Sequence, residues 1–432
     1  MTQQEPPSNP NMAGPAAQRH RVALMLVLIA AAMPVRTAVQ LPLIPSVSVL
    51  DILLAAAAAT LLIDLAFRPL DIGYPQLFAL LCIPVVICGL SVLWSQGRGY
   101  TARSTIIYVE GIVAYLFALR ELGGASPSRI MTYIKRFTYL LIIPAVLLLL
   151  HAPGFSPRGI ELSPSSAEYL SYYSRLSHPV LGKSNNLATA LAFFIPILLY
   201  WGHVHRDRRI TRAGYIALIA VVLTLSRGVA LALLITAACA ALGNVTRHRG
   251  IDSRAAGKTL GGVAVIAAGI VLLYQFNPRT REFFGGRFSQ ENILIRSDFV
   301  TAAIEKLAER PFLGYGAGVP PDYELDLARV HNTYLQQVLN FGPLLGLIVS
   351  LSLIGTAVFF FSRWRTSGVA RAVGFTLMAQ LLIFAVESSF EGTVLRVLFY
   401  LSVGLATALT RASEAQEQLG REPGGGKVLH AP

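Results

Sequence analysis

The residues able to do chemistry in this sequence fall in five short stretches. His331 opens "VHNTYLQQVLNFG", where Leu335, Val338, Leu339 and Gly342 follow it at helical spacing. The first turn of a helix is its positive end, which disfavours a protonated ring, and a nearby arginine would push the same way. A neutral imidazole at neutral pH is what a general base requires. A histidine that simply caps a helix at a membrane surface is the other reading of the same residues.

Arg227 sits in "VVLTLSRGVALALL", between two apolar runs with almost no loop around it. Placing an arginine near hydrocarbon costs roughly 2.5–3.5 kcal/mol on insertion scales, less if it snorkels. Nothing acidic is near it in sequence, and a phosphate matches the guanidinium fork. Arg296 stands at the start of "NILIRSDFVTAAIEKLAERPFLGYG". Apolar recurrences at Val300, Ile304 and Leu307 predict an amphipathic helix there, ended by Pro311. The following "GYGAG" has no lysine and follows a helix rather than a strand, so it reads as a tight turn and not a nucleotide loop.

In "SRLSHPVLGKSNNLATALAFF", Arg175, His178, Lys183, Asn185 and Asn186 crowd the entrance to a hydrophobic helix. Free amide donors at that entrance make a plausible anion seat. The same cluster would also serve as a cap and interfacial anchor. In "VESSFEGTVLRV", Glu387 and Glu391 lie at the end of an apolar run, where a carboxylate is expensive unless paired or hydrated. They either pair with the arginines or bind hydroxyls of an acceptor. Together, cations and a single base suit a lipid-linked diphosphate. The cations hold and stabilise the leaving diphosphate, and the base takes a proton from an attacking sugar hydroxyl. No carboxylate–histidine cluster points to a metal, and no cofactor is implied.

The elements that must position these residues are transmembrane helices. Of 432 residues, 54% are hydrophobic and 14% charged, with apolar stretches of spanning length from end to end. The fold class is an all-α polytopic membrane protein. About 12 spans are expected, near 22–42, 47–67, 74–94, 104–120, 132–151, 184–202, 212–225, 227–243, 259–276, 343–362, 370–387 and 392–410. Pro34, Pro42 and Pro45 interrupt the first. With a cytoplasmic N-terminus, the dense basic loops "HVHRDRRITR", "NVTRHRGIDSRAAGK" and "SRWRTSGVAR" all fall inside, as the positive-inside rule requires. The net charge of +13 therefore reads as topology rather than nucleic-acid binding. Residues 1–18 and 412–432 read as disordered cytoplasmic tails. Residues 19–411 read as the bundle, with long outer loops at 151–183 and 277–341 that bring the candidate residues to one face. Cys82, Cys88 and Cys239 lie in apolar runs and suggest neither disulfides nor zinc. No internal repeat is visible, which weakens a transporter reading.

With these pieces in place, the chain resembles the O-antigen ligase and polymerase superfamily over roughly residues 170 to 345. The carriers are "GKSNNLATAL", "LTLSRGVALAL", "RPFLGYGAG" and "HNTYLQQVLNFG", in this order. The resemblance implies a multi-span protein of the bacterial inner membrane with a large periplasmic loop and a periplasm-facing site. It also implies metal-independent, inverting glycosyl transfer from undecaprenyl diphosphate-linked oligosaccharide. It assigns catalysis to Arg227, Arg296 and His331. Asn340 stands where the family commonly has an acid, and "RLSHPVLGKSNNLA" looks closer to exopolysaccharide polymerases of the xanthan type. The expected function is thus a repeat-unit polymerase that works beside other polysaccharide assembly and export proteins. A ligase acting on lipid A-core and a flippase or exporter of lipid-linked oligosaccharide are the alternatives.

Overall fold

The computed structural model describes residues 24–31, 39–41, 44–152, 176–181, 184–247, 290–317, 332–363, 367–387 and 393–419. Residues 24–31 form helix α1. The strands β1 (Val39–Leu41) and β2 (Ile44–Val47) then pair antiparallel, Val39 opposite Val47 and Leu41 opposite Ile44. This corrects the expectation of a single helical span over 22–42; the fold class stays that of an all-α polytopic membrane protein. Proline has no amide to donate and cannot continue a helix, and Pro42 and Pro45 fall within or between the strands.

The helices that follow are α2 (Val49–Phe67), α3 (Pro75–Ser91), α4 (Arg98–Leu122), α5 (Pro127–Leu149), α6 (Ser184–Ala192), α7 (Ile195–Val204), α8 (Arg208–Leu223) and α9 (Arg227–Arg247). After them come α10 (Gln290–Glu309), α11 (Thr333–Ser362), α12 (Gly368–Val386) and α13 (Thr393–Leu419). Among the described residues, seven helical segments are long and apolar enough to cross a membrane, and Pro75–Ser91 and Arg227–Ala240 are shorter apolar helices. The chain is thus a multi-pass helical membrane protein. The expected span at 259–276 lies outside the described residues.

Local chemistry sets several boundaries. Ser48 caps α2 by accepting from the amide of Asp51, whose carboxylate accepts from the Ser48 amide in return. α6 and α7 are one span with a break at Phe193 and Phe194, because Pro196 has no amide to return to the preceding turn. The last helix runs to Leu419, beyond residue 411 where the sequence suggests that order ends. Its extra turns are anchored: the Tyr74 hydroxyl donates to Glu414 at 2.7 Å, and Arg363 lies 3.5 Å from the same carboxylate.

α13 is the most enclosed span, with 89% of its apolar window buried. Two glycines let it touch α4. A Cβ on Gly111 would lie 2.5 Å from the Tyr400 ring, and one on Gly404 would lie 2.8 Å from the Tyr115 carbonyl oxygen. Small residues at a crossing permit this close approach in a membrane, where packing rather than water drives association.

Successive helices alternate in direction, so their ends sort onto two faces. One face carries the ion pairs Arg120–Asp64, Arg120–Glu121 and Arg411–Asp71, together with Arg363 stacked on Tyr74. The opposite face carries the starts of α6, α9 and α11 and the end of α12, and the candidate residues described by the structure gather there.

Candidate functional site

The site is built from helix ends. Asn185 is the second residue of α6, Gly228 the second of α9, and Thr333 the first of α11. All three meet Glu387, which terminates α12. Asn185 Nδ2 donates to Glu387 Oε1 at 2.9 Å. Thr333 Oγ1 donates to the Glu387 carbonyl at 2.8 Å. A Cβ added to Gly228 would stand 3.8 Å from Glu387 Oε1 and 2.8 Å from Val386. The starts of three helices therefore meet at one buried residue, α6 through the Glu387 carboxylate, α11 through its backbone carbonyl and α9 beside both.

Arg227 precedes Gly228 directly and is exposed. Its α-carbon is therefore one chain step, about 3.8 Å, from the glycine that abuts Glu387. His331 and the side chain of Arg296 lie outside the described residues, as do Arg175, Lys183 and Glu391. In sequence, His331 lies two residues before Thr333. Arg296 falls in the second turn of α10, inside the helix that the sequence predicts.

The turn that presents Arg227 is strained. α8 ends at Leu223 and α9 begins four residues later, with Leu225 between them in the left-handed region at φ 55°. That conformation costs a non-glycine residue about 1–2 kcal/mol. Thr224 Oγ1 bonds to Val221 O at 2.6 Å and accepts from the Ser226 amide at 3.3 Å. The Leu176 amide donates to Leu223 O at 3.0 Å, which fastens the loop before α6 to this turn.

His178 and Asn186 organise that loop. Asn186 Nδ2 donates to Leu181 O at 2.7 Å. His178 is completely buried, and its Nδ1 accepts from the amides of Val180 at 3.1 Å and Leu181 at 3.0 Å. Two donors on Nδ1 place the remaining proton on Nε2. Burial pushes the imidazole down to about 3, so the ring is neutral. Five buried atoms here find no hydrogen-bond partner: Ser177 Oγ, His178 Nε2, Ser184 Oγ, Asn185 Oδ1 and Ser226 Oγ. Among the described residues no group of His, Cys, Asp and Glu is arranged to hold a metal ion.

The short helix after His331 buries polar residues beside its apolar stripe. Asn332 caps it by accepting from the Leu335 amide at 3.0 Å. Of the expected apolar stripe, Leu339 and Gly342 are buried and Leu335 and Val338 half-buried, and Thr333, Gln336, Gln337 and Asn340 are buried as well. Gln336 Nε2 donates to Asn340 Oδ1 at 3.1 Å, so this polar side is partly self-satisfied. Thr333 on this side reaches the Glu387 carbonyl.

The "GYGAG" turn locks onto the end of this short helix. α11 breaks at Gly342 (φ 78°, ψ 168°), just before Pro343. The break leaves carbonyls that the turn fills: the Tyr315 amide donates to Leu339 O at 3.0 Å and the Gly316 amide to Asn340 O at 2.7 Å. Trp94 Nε1 donates to Leu313 O at 2.6 Å. A Cβ on Gly342 would fall 2.5 Å from the Phe312 carbonyl carbon, and one on Gly314 would fall 2.6 Å from the Gly342 nitrogen. Sequence reasoning identified the turn but missed this interlock, as it missed Thr333 and the strain at Leu225. Only the "NT" pair at a helix start hinted at Thr333.

Residues 213–350 match the sequence profile of a family described as O-antigen ligase. The matched stretch is about a third of the chain. It runs from within α8 into the span of α11, and it includes Arg227, Arg296, His331 and the glycine turn. It supports the O-antigen ligase and polymerase superfamily. No curated protein sequence matches the chain significantly.

Proposed function

We propose that this protein is a polysaccharide polymerase of the bacterial inner membrane, with its site facing the periplasm. It moves a growing glycan from undecaprenyl diphosphate onto a lipid-linked repeat unit during exopolysaccharide synthesis. The observation that supports this most is the convergence of three helix N-termini on Glu387, with Arg227 one residue away and His331 two residues from the Thr333 tether. The matched family segment adds that such a protein acts on lipid-linked glycans.

In this reading the guanidinium groups of Arg227 and Arg296 take up the negative charge that grows on the departing diphosphate. Lys183 and Arg175 assist from the neighbouring loop. His331, neutral at a helix start, removes the proton from the attacking hydroxyl as it displaces the diphosphate from the opposite face of the sugar, which inverts the anomeric centre. No metal takes part: the cationic side chains carry that electrostatic task. Glu387 and Asn185, with Glu391 nearby in sequence, hold the hydroxyls of the acceptor. The orphaned Ser184, Ser226 and Asn185 oxygens are groups that such hydroxyls or phosphate oxygens can satisfy. His178 and Asn186 shape the loop that carries this seat.

The test offers purified protein a lipid-linked repeat unit and a lipid A-core in parallel and resolves the products on one gel. A ladder of lengthened lipid-linked glycan is the expected outcome, and glycan on lipid A-core alone would instead make the protein a ligase. His331→Ala should slow elongation by roughly 10²–10⁴-fold, the usual worth of a general base. Elongation at the full rate by that variant would refute the assignment of the base.

A further inference from the structure

The helix α10 has an apolar face that the protein covers only in part. Ala303 and Leu307 pack against Leu335 and Leu339 of the short helix that begins α11. Beside them on the same face, Val300 is 40% and Ile304 59% exposed, and Phe312, just past the helix end, is 81% exposed. Asp298, Thr301, Glu305 and Glu309 occupy the other side, at positions that share one face of a 3.6-residue helix.

The bare strip continues onto a surface whose environment is known. Phe312 and Leu313 abut Gly342, and two residues later Leu344 is 68% exposed on the spanning part of α11. Leu347 and Leu351 extend that strip down the span, where the exposed side of an apolar helix faces lipid. Leu93 and Tyr100, close in sequence to Trp94, are exposed, and Trp94 is bonded to Leu313 O. Aromatic side chains at this level mark the boundary between headgroups and acyl chains.

We propose that α10 lies in the membrane interface at this end of the bundle, with Val300, Ile304 and Phe312 in lipid and Asp298 and Glu305 toward water. The occupant is the bilayer, because Phe312 and Leu313 join the strip to the lipid-facing side of α11 beside Gly342 and Leu344. Arg296 holds the position four residues before Val300 and so heads the same strip. Given the function proposed above, the interface thereby holds Arg296 at the depth of a lipid-carried diphosphate.

The experiment places single cysteines at Val300, Ile304, Phe312, Asp298 and Glu305 in the full chain, with the native cysteines replaced by alanine. Each is spin-labelled in nanodiscs, and relaxation by oxygen is compared with relaxation by a water-soluble nickel chelate. Oxygen should dominate severalfold at 300, 304 and 312, and the chelate at 298 and 305. Chelate access at 304 and 312 equal to that at 305 would overturn the proposal by placing the helix in water. Exclusion of both relaxants at 304 and 312 would overturn it too, by showing a second copy or another protein on the strip. Ile304→Trp with quenching by brominated lipid repeats the measurement without a label. Neither readout needs donor or acceptor, so the outcome is independent of the catalytic reading.

Discussion

Gly342→Ala should be among the most damaging single-methyl additions to this protein. Two effects combine there. Its backbone, at φ 78° and ψ 168°, lies in a region almost reserved for glycine, which costs another residue about 1–3 kcal/mol. The new methyl would also stand 2.5 Å from the Phe312 carbonyl carbon and 2.9 Å from the Leu313 nitrogen. These are backbone atoms, so no rotamer relieves them, and reaching ordinary contact requires the 312–316 turn to retreat by about 1 Å. Such a retreat breaks the Tyr315–Leu339 and Gly316–Asn340 bonds, worth about 0.5–1.5 kcal/mol each. The sum is about 2–6 kcal/mol. Two other glycines calibrate it. Gly124 has φ 72° but open space around a Cβ, so Gly124→Ala should cost only the conformational part, about 1–2 kcal/mol. Gly99 lies in α4 with open space and no positive φ, so Gly99→Ala should be neutral or slightly stabilising. Thermal unfolding midpoints in nanodiscs should therefore fall in the order Gly99→Ala, Gly124→Ala, Gly342→Ala. Elongation should fall with the third alone, since the turn braces the helix that His331 precedes. Equal midpoints for Gly342→Ala and Gly124→Ala would show that the interlock contributes nothing.

Two more outcomes follow from the site. Thr333→Val keeps the shape of the side chain and removes its bond to the buried Glu387 carbonyl, which should cost about 1–3 kcal/mol of stability. Elongation should slow by about tenfold or more, while Thr333→Ser restores both, and a Val variant of full rate and stability would remove the tether from the argument. His178 predicts an acid sensitivity. Its folded-state value of about 3 is below the unfolded value near 6.5, so its contribution is complete above about pH 6.5 and is lost as pH falls toward 3. The loss can reach ~1.4 kcal/mol per pH unit, because the unfolded chain takes up a proton that the buried ring refuses. Unfolding midpoints measured between pH 7.5 and 5 should decline less steeply for His178→Asn than for the parent, and parallel slopes would refute the assignment.

The parts of the fold legible in the sequence were those set by composition over a whole turn or more. The spans around α3, α4, α5, α12 and α13 follow from apolar length alone, and the start of α6 at Ser184 follows from a polar pair before an apolar run. The span beginning at residue 343 was also legible, because the apolar run there is one membrane thickness long; the break at Gly342 was not, since that glycine read as part of the stripe before it. The hairpin after α1 was not, since three prolines mark an interruption without saying what replaces the helix. Polar contacts between distant segments were illegible for a more basic reason. The bond between Asn185 and Glu387 joins residues 202 apart, and no local pattern encodes it.

Helix ends explain why the candidate residues lie where they do. A spanning helix satisfies its own backbone along its length and leaves amide donors only at its start. A membrane protein that must bind a charged headgroup can therefore supply backbone donors cheaply only where several helices begin together. α6, α9 and α11 begin together here, and each is preceded or opened by a residue that spacing alone singled out: Lys183 and Asn185, Arg227, and His331. The Glu387 carboxylate accepts from Asn185 of α6, and its carbonyl accepts from Thr333 of α11. Glu387 thus ties the junction together through its carboxylate and its carbonyl, while the arginine beside it is exposed.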